Sequence, residues 1–91
     1  MKTHDVKSWT RFFQAIKNGN KKHDLRDDKD RNFQLGDYLR LREYDPFEGK
    51  YTGESVLVQV TYITSRATPC AFSSAVLDRD FVILSLEIVN E

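Results

Sequence analysis

Lys21, Lys22, Asp24 and Arg26 put one acid and three cations into six residues, beginning two residues after Gly19. On an extended strand, residues two apart project from one face, so Lys22, Asp24 and Arg26 share a side. Lys21 points the other way unless the junction before it turns. A lysine ammonium is a point charge suited to a phosphate oxygen, whereas an arginine fork can take a phosphate or a base edge bidentately. Asp24 can accept from a base amino group or hold the cations in place. The plainer account is a surface ion pair from Asp24 to Arg26 or Lys22, worth roughly 0–1 kcal/mol.

A second cluster alternates aromatic and basic residues, Tyr38, Arg40, Arg42 and Tyr44. Such a face can stack bases at about 1–3 kcal/mol each while neutralising phosphates, or the tyrosines can cover a barrel mouth with the arginines snorkelling over them. Lys7 is poorly explained by packing, and its place in the opening motif described below makes it a candidate, while the helical spacing of Trp9 assigns it to the core. Ser85 interrupts an apolar run and either lines a cleft or bonds within the sheet. His4 and His23 have no partner at a metal-ligand spacing, so each is exposed or satisfied by a neighbour, and neither metal nor cofactor is expected. Cys70 lacks an activating pattern and reads as structural.

The elements that must position these groups follow from composition and periodicity. Ninety-one residues, 40% apolar and 12% aromatic, suit one compact domain. Fourteen basic residues balance fourteen acidic ones, so a polyanion ligand requires the cations to gather on one face. A lone cysteine excludes an internal disulfide, and with neither a leader pattern nor an apolar run near 20 residues the expectation is a cytoplasmic protein without membrane contact.

Met1 to Lys7 is either a first strand or a frayed arm. Ser8 suits an N-cap, and Trp9, Phe12, Phe13 and Ile16 follow at amphipathic-helix spacing, predicting a heavily aromatic buried face. Lys17 and Gly19 end the helix near Asn18. Lys21 to Arg26 reads as an extended edge segment, and residues 26–32, with six charges in seven positions, as a solvated loop. Phe33 and Leu35 return to the core, and Gly36-Asp37 signals a turn. Tyr38 to Tyr44 is a half-buried strand with Leu39 and Leu41 inward. After a turn at 45–50 and a bend at Thr52-Gly53, Glu54 to Ile63 forms a hairpin partner with Val56, Val58, Val60 and Tyr62 on one side. Ser65 to Ala75 is a loop with room for a helical turn, and Phe81 to Val89 a central strand buried on both faces. The sum is an α+β domain whose mostly antiparallel sheet curls into a small barrel.

The ordered motifs resemble a known family. Gly19-x-Lys21-x-x-Asp24-x-Arg26 is similar to the G-x-K-x-x-E-x-R signature of ASCH domains, with aspartate for glutamate. His4-Asp5-Val6-Lys7-x-Trp9 resembles the H-x-L-K-x-W opening of a small bacterial and phage branch of that superfamily, known mainly as a domain of unknown function. Arg31-x-Phe33-x-Leu35-Gly36-Asp37, Leu41-Arg42-Glu43-Tyr44-Asp45-Pro46, Tyr51-Thr52-Gly53 and Val82-Ile83-Leu84-Ser85-Leu86 are similar to its later blocks. Only Ser65 to Asp80 finds no match. The resemblance implies a PUA-like β-barrel with a cleft beside the signature, proposed in the family to hold RNA or a nucleotide-like ligand.

Three functions follow as expectations. The first is an RNA- or nucleotide-binding module using Lys7, Lys21, Asp24, Arg26 and Arg42, with Tyr44 and Ser85 at the ligand. The second is a small amidohydrolase on N-acetylated cytidine or a related nucleoside, as one ASCH group is, with Lys21 and Asp24 catalytic. That group carries a threonine where this chain has Asp24, and its later glutamate has no counterpart in 65–80. The third is a module of phage origin that engages a protein partner.

Overall fold

A computed structural model describes all residues from Met1 to Glu91. The chain runs β1 (Thr3–Trp9), α1 (Thr10–Lys17), β2 (His23–Asp27), β3 (Tyr38–Asp45), β4 (Lys50–Thr64), α2 (Ser73–Val76) and β5 (Phe81–Ile88). The five strands make one curled half-barrel sheet in the order β1-β3-β4-β5-β2. Three pairings are antiparallel as expected, but β1 runs parallel to β3, because α1 and β2 between them supply the crossover that parallel neighbours need. The edge strands β1 and β2 face each other across a seam, so the sheet is strand-rich and curled without closing by backbone ladders.

Eleven buried apolar side chains fill the concave side, among them Val6 of β1, Leu39 and Leu41 of β3, and Phe13 and Ile16 of α1. The period of two in β1 buries His4, Val6 and Ser8 and exposes Asp5, Lys7 and Trp9. His4 is therefore satisfied rather than exposed, its Nε2 donating to Asp37 Oδ2 at 2.9 Å. Burial pushes the Asp37 carboxyl up, but His4 and the N–H groups of Lys2 and Gln34 outweigh it and hold the group below its usual 3.8.

The helix departs from its expected aromatic face. Strand pairing with β3 continues to Trp9, so Ser8 lies in the strand and Trp9, with extended backbone and no side-chain cap, begins the helix. Only Phe13 and Ile16 are buried from α1, while Trp9 is 51% and Phe12 43% exposed. The predicted helix end holds. Gly19, at φ +85°, donates to the Ile16 carbonyl, and Asn20 donates to that of Ala15, closing the last turn and aiming the chain into β2.

Two irregularities in β4 depart from the expected strand. A register shift against β5 between Val60 and Tyr62 turns Tyr62 outward and brings Ile63 against the core. A second, against β3 between Arg42 and Tyr44, absorbs Thr52-Gly53 as a bulge inside one long strand. Strand β5 lies between β4 and β2 but buries only Val82, Leu84 and Leu86, so it is covered on one face. Leu35, expected inside, is exposed, whereas Phe33 is buried where the Asp28 carboxylate accepts its N–H at 2.7 Å. Cys70 is exposed, not structural, on the loop before α2, where the Phe72 N–H and the Ser73 hydroxyl lower its thiol below the usual 9.0. No helix is long and apolar enough to cross a membrane.

Candidate functional site

The helix-to-strand junction turns Lys21 toward Asp24. Its Nζ lies 3.5 Å from Asp24 Oδ1 and donates to the His23 carbonyl. Arg26 Nε donates to the other oxygen, Oδ2, at 2.7 Å. Asp24 thus bridges Lys21 and Arg26, and Lys22 is not the partner that strand alternation assigned. Asp24 forms the expected ion pair with Arg26 and a second one with Lys21, so two cations share one acid and the group keeps a net positive charge.

Arg26 also spans the seam. Its Nη2 donates to the Lys7 carbonyl at 2.9 Å, so a side chain joins β2 to β1 where the ladder stops. Asp24 pairs with Leu84 and Arg26 with Val82, both core residues, which sets the two polar side chains on the concave side at the rim. Around them Lys7, Ser8 and Trp9 of β1, Phe12 of α1 and Asp24, Leu25 and Arg26 of β2 line a cleft of about 290 Å³. Trp9 stacks on Phe12 at 6.4 Å between centroids and an interplanar angle of 19°.

A larger hollow, about 520 Å³, opens past Lys21 between the end of α1 and strands β4 and β5. Its walls include Ile16, Val58 and Leu86 and no aromatic ring. Of these two hollows the seam cleft is the one that offers a planar ligand a stacking surface, so it is the better candidate despite its size.

The remaining candidates lie elsewhere. The side chains of Lys7, Arg42 and Tyr44 are on the outer face, since Lys7 pairs with Arg42 and Trp9 with Tyr44 in register. Lys7 contributes its carbonyl to the seam and its ammonium to the outer face, 4.2 Å from the Tyr44 ring centroid. Ser85 pairs with His23 and with Tyr62 on that same outer surface, away from Asp24 and Arg26. Arg40 is committed to Glu91 through two bonds of 2.7 Å. No cluster of histidine, cysteine and acidic residues has the geometry of a metal site.

Helical spacing misplaced Trp9 and Phe12. The alternation of Val6 and Ser8 with Lys7 and Trp9 is the signal that places Trp9 outward beside Lys7. Glu43 was also missed: it is a buried carboxylate beneath α1, opposite Ser8 in register. Thr52 Oγ1 donates to it at 2.7 Å and Gln14 Nε2 at 3.0 Å, and these bonds outweigh burial and hold it below its usual 4.5. An acid between Arg42 and Tyr44 at an inward strand position, with a threonine in the facing bulge, carries that signal.

Comparison with known proteins finds a family and a phage relative. The family model described as "Domain of unknown function (DUF3850)" matches residues 3–86. A protein of Escherichia phage P2, described as an uncharacterized 12.9 kDa protein in the GpA 3′ region, is 36% identical over 63 residues, 69% of this chain. The match spans 55% of that relative's length.

Proposed function

Since the chain belongs to the family described as a domain of unknown function, DUF3850, membership brings no activity with it, and we propose that the seam between β1 and β2 binds a nucleotide or RNA. The carrying observation is the exposed Trp9–Phe12 stack in one cleft with Arg26. The rings offer a base its apolar face, and the positive Lys21–Asp24–Arg26 group offers a phosphate its counter-charge. Arg26 directs Nε to Asp24 and Nη2 to Lys7, a fixed orientation that lowers the ordering cost of ligand capture. The finer likeness to ASCH domains of the PUA-like superfamily belongs to the same proposal, supported by the ordered motifs and the curled strand-rich sheet. A cytoplasmic location goes with that ligand class.

Hydrolysis of an acylated nucleoside draws less support, because each Asp24 oxygen already faces a cation, and Glu87, the acid that shares the larger hollow with Lys21, forms no ion pair with it. A protein partner is favoured by one specific feature. Trp9, Phe12, Pro46 and the almost fully exposed Phe47 line an apolar cleft of about 420 Å³ beside the seam.

A thermal-shift screen against nucleosides, nucleotides, N-acetylated cytidine and short RNA tests the proposal, with Lys21→Ala in parallel and mixtures assayed for product. A ligand at a hundredfold excess over its Kd stabilises the fold by about 2.7 kcal/mol. The expected result is a shift for the parent that is reduced in Lys21→Ala, without product. A shift with product returns the hydrolase; no shift with any ligand removes the nucleotide reading and leaves the apolar cleft and its protein partner.

A further inference from the structure

Resting on the nucleotide reading of the seam, we infer that the outer face of β1, β3 and β4 is a track for single-stranded nucleic acid leading away from that cleft. Strand register sets Trp9, Tyr44 and Tyr51 in one row across the three strands, and Lys7 and Arg42 in the row beside it. Both ends of the row are open, Trp9 at 51% and Tyr51 at 47% exposure, with Tyr44 half-buried between them.

The two rows are locked together. Lys7 Nζ sits 4.2 Å from the Tyr44 centroid, Arg42 Cζ sits 5.1 Å from the Tyr51 centroid, and the two tyrosines meet edge-to-face at 5.1 Å. Neither Lys7 nor Arg42 has a carboxylate within ion-pair distance, in contrast to Arg40 in the next row, which Glu91 neutralises. The chain is neutral overall, so uncompensated cations held over the half-buried Tyr44 and the exposed Tyr51 mark a local site for an anionic ligand with flat apolar parts. A guanidinium held over a tyrosine ring keeps N–H groups for a base or a phosphate.

Adjacent strands lie about 4.8 Å apart, so Trp9 and Tyr51 are separated by about 10 Å, close to three steps of a stacked strand at about 3.4 Å each. Trp9 belongs to both surfaces, lining the seam cleft and heading the outer row. A strand with one base at the seam therefore continues over Tyr44 and Tyr51, its phosphates beside Lys7 and Arg42. Duplexes keep their base faces paired within the stack and cannot use the rings in this way. RNA and single-stranded DNA share the chemistry that the face reads.

Fluorescence anisotropy with labelled oligomers of about eight nucleotides tests the track, using RNA and DNA single strands, a duplex, and a labelled mononucleotide. The parent should bind single strands at least about tenfold more tightly than the mononucleotide or the duplex. Tyr51→Ala should weaken oligomer binding about tenfold and leave mononucleotide binding unchanged. Arg42→Gln should lower the salt slope of oligomer binding by about one unit. Thermal unfolding of both variants verifies that the fold persists. Equal affinity for mononucleotide and oligomer, with both variants like the parent, overturns the track and leaves the seam intact. Oligomer binding lost in the variants, with no mononucleotide binding, upholds the track and removes the seam. Preference for the duplex, or binding to nothing, overturns the track outright.

Discussion

Asp24 shows how one carboxylate decides what its neighbours can do. With Lys21 on one oxygen and Arg26 on the other, it is a fixed acceptor that orders two cations. Glu43 and Asp37 are two further committed acids, both buried and both lower than usual in the folded chain. The unfolded chain therefore takes up protons first as pH falls. Their stabilisation is full above the unfolded values near 4 and is lost as pH drops toward the folded ones. The urea midpoint should fall below about pH 4.5, and Glu43→Gln should flatten that fall. A variant that follows the parent's slope removes Glu43 from the account. Glu43→Ala, which strands the Thr52 and Gln14 donors, should cost about 1–3 kcal/mol at neutral pH. At this scale the sequence was only partly legible. The Lys21, Asp24 and Arg26 cluster could be read from residue types, but the choice of Lys21 over Lys22 depends on a backbone turn at the junction that strand alternation does not contain.

Among the elements, α1 and the β3–β4 hairpin were readable because their signals are local: Gly19 after Lys17 ends the helix, and turn residues from Asp45 to Gly49 separate two alternating runs. The parallel pairing of β1 and the one-sided burial of β5 were not, since both depend on which strands meet. Bulges are equally non-local: the one at Val60/Tyr62 reversed the faces of Tyr62 and Ile63, and the one at Thr52-Gly53 stands where a bend between elements was expected. Gly53 sits in the β4 bulge at φ +95°, and a Cβ there would meet no atom within 4 Å. Gly53→Ala should cost about 1 kcal/mol from backbone strain alone, read as a lower unfolding midpoint. No change would mean that the bulge relaxes freely. Arg26→Ala removes the bond that joins the edge strands, so amide exchange in β1 and β2 should accelerate while the β3–β4 ladder stays protected. Uniform acceleration would show instead that the seam opens only with the whole sheet.

Over the whole molecule, net charge conceals an uneven surface. Arg40, Lys17, Lys21 and Arg26 have acidic partners, while Lys7 and Arg42 stand over tyrosine rings on one face. The strand-rich character and the motif order were legible along the chain; the distribution of charge between the concave rim and the outer face required the register. Trp9 is the sole tryptophan and belongs to both surfaces, so its emission reports the central claim directly. The decisive measurement is a titration of that emission with a short single-stranded RNA at low and at raised salt. The account predicts saturable quenching whose affinity falls steeply as salt rises. Quenching that is absent, or that is indifferent to salt, would contradict it.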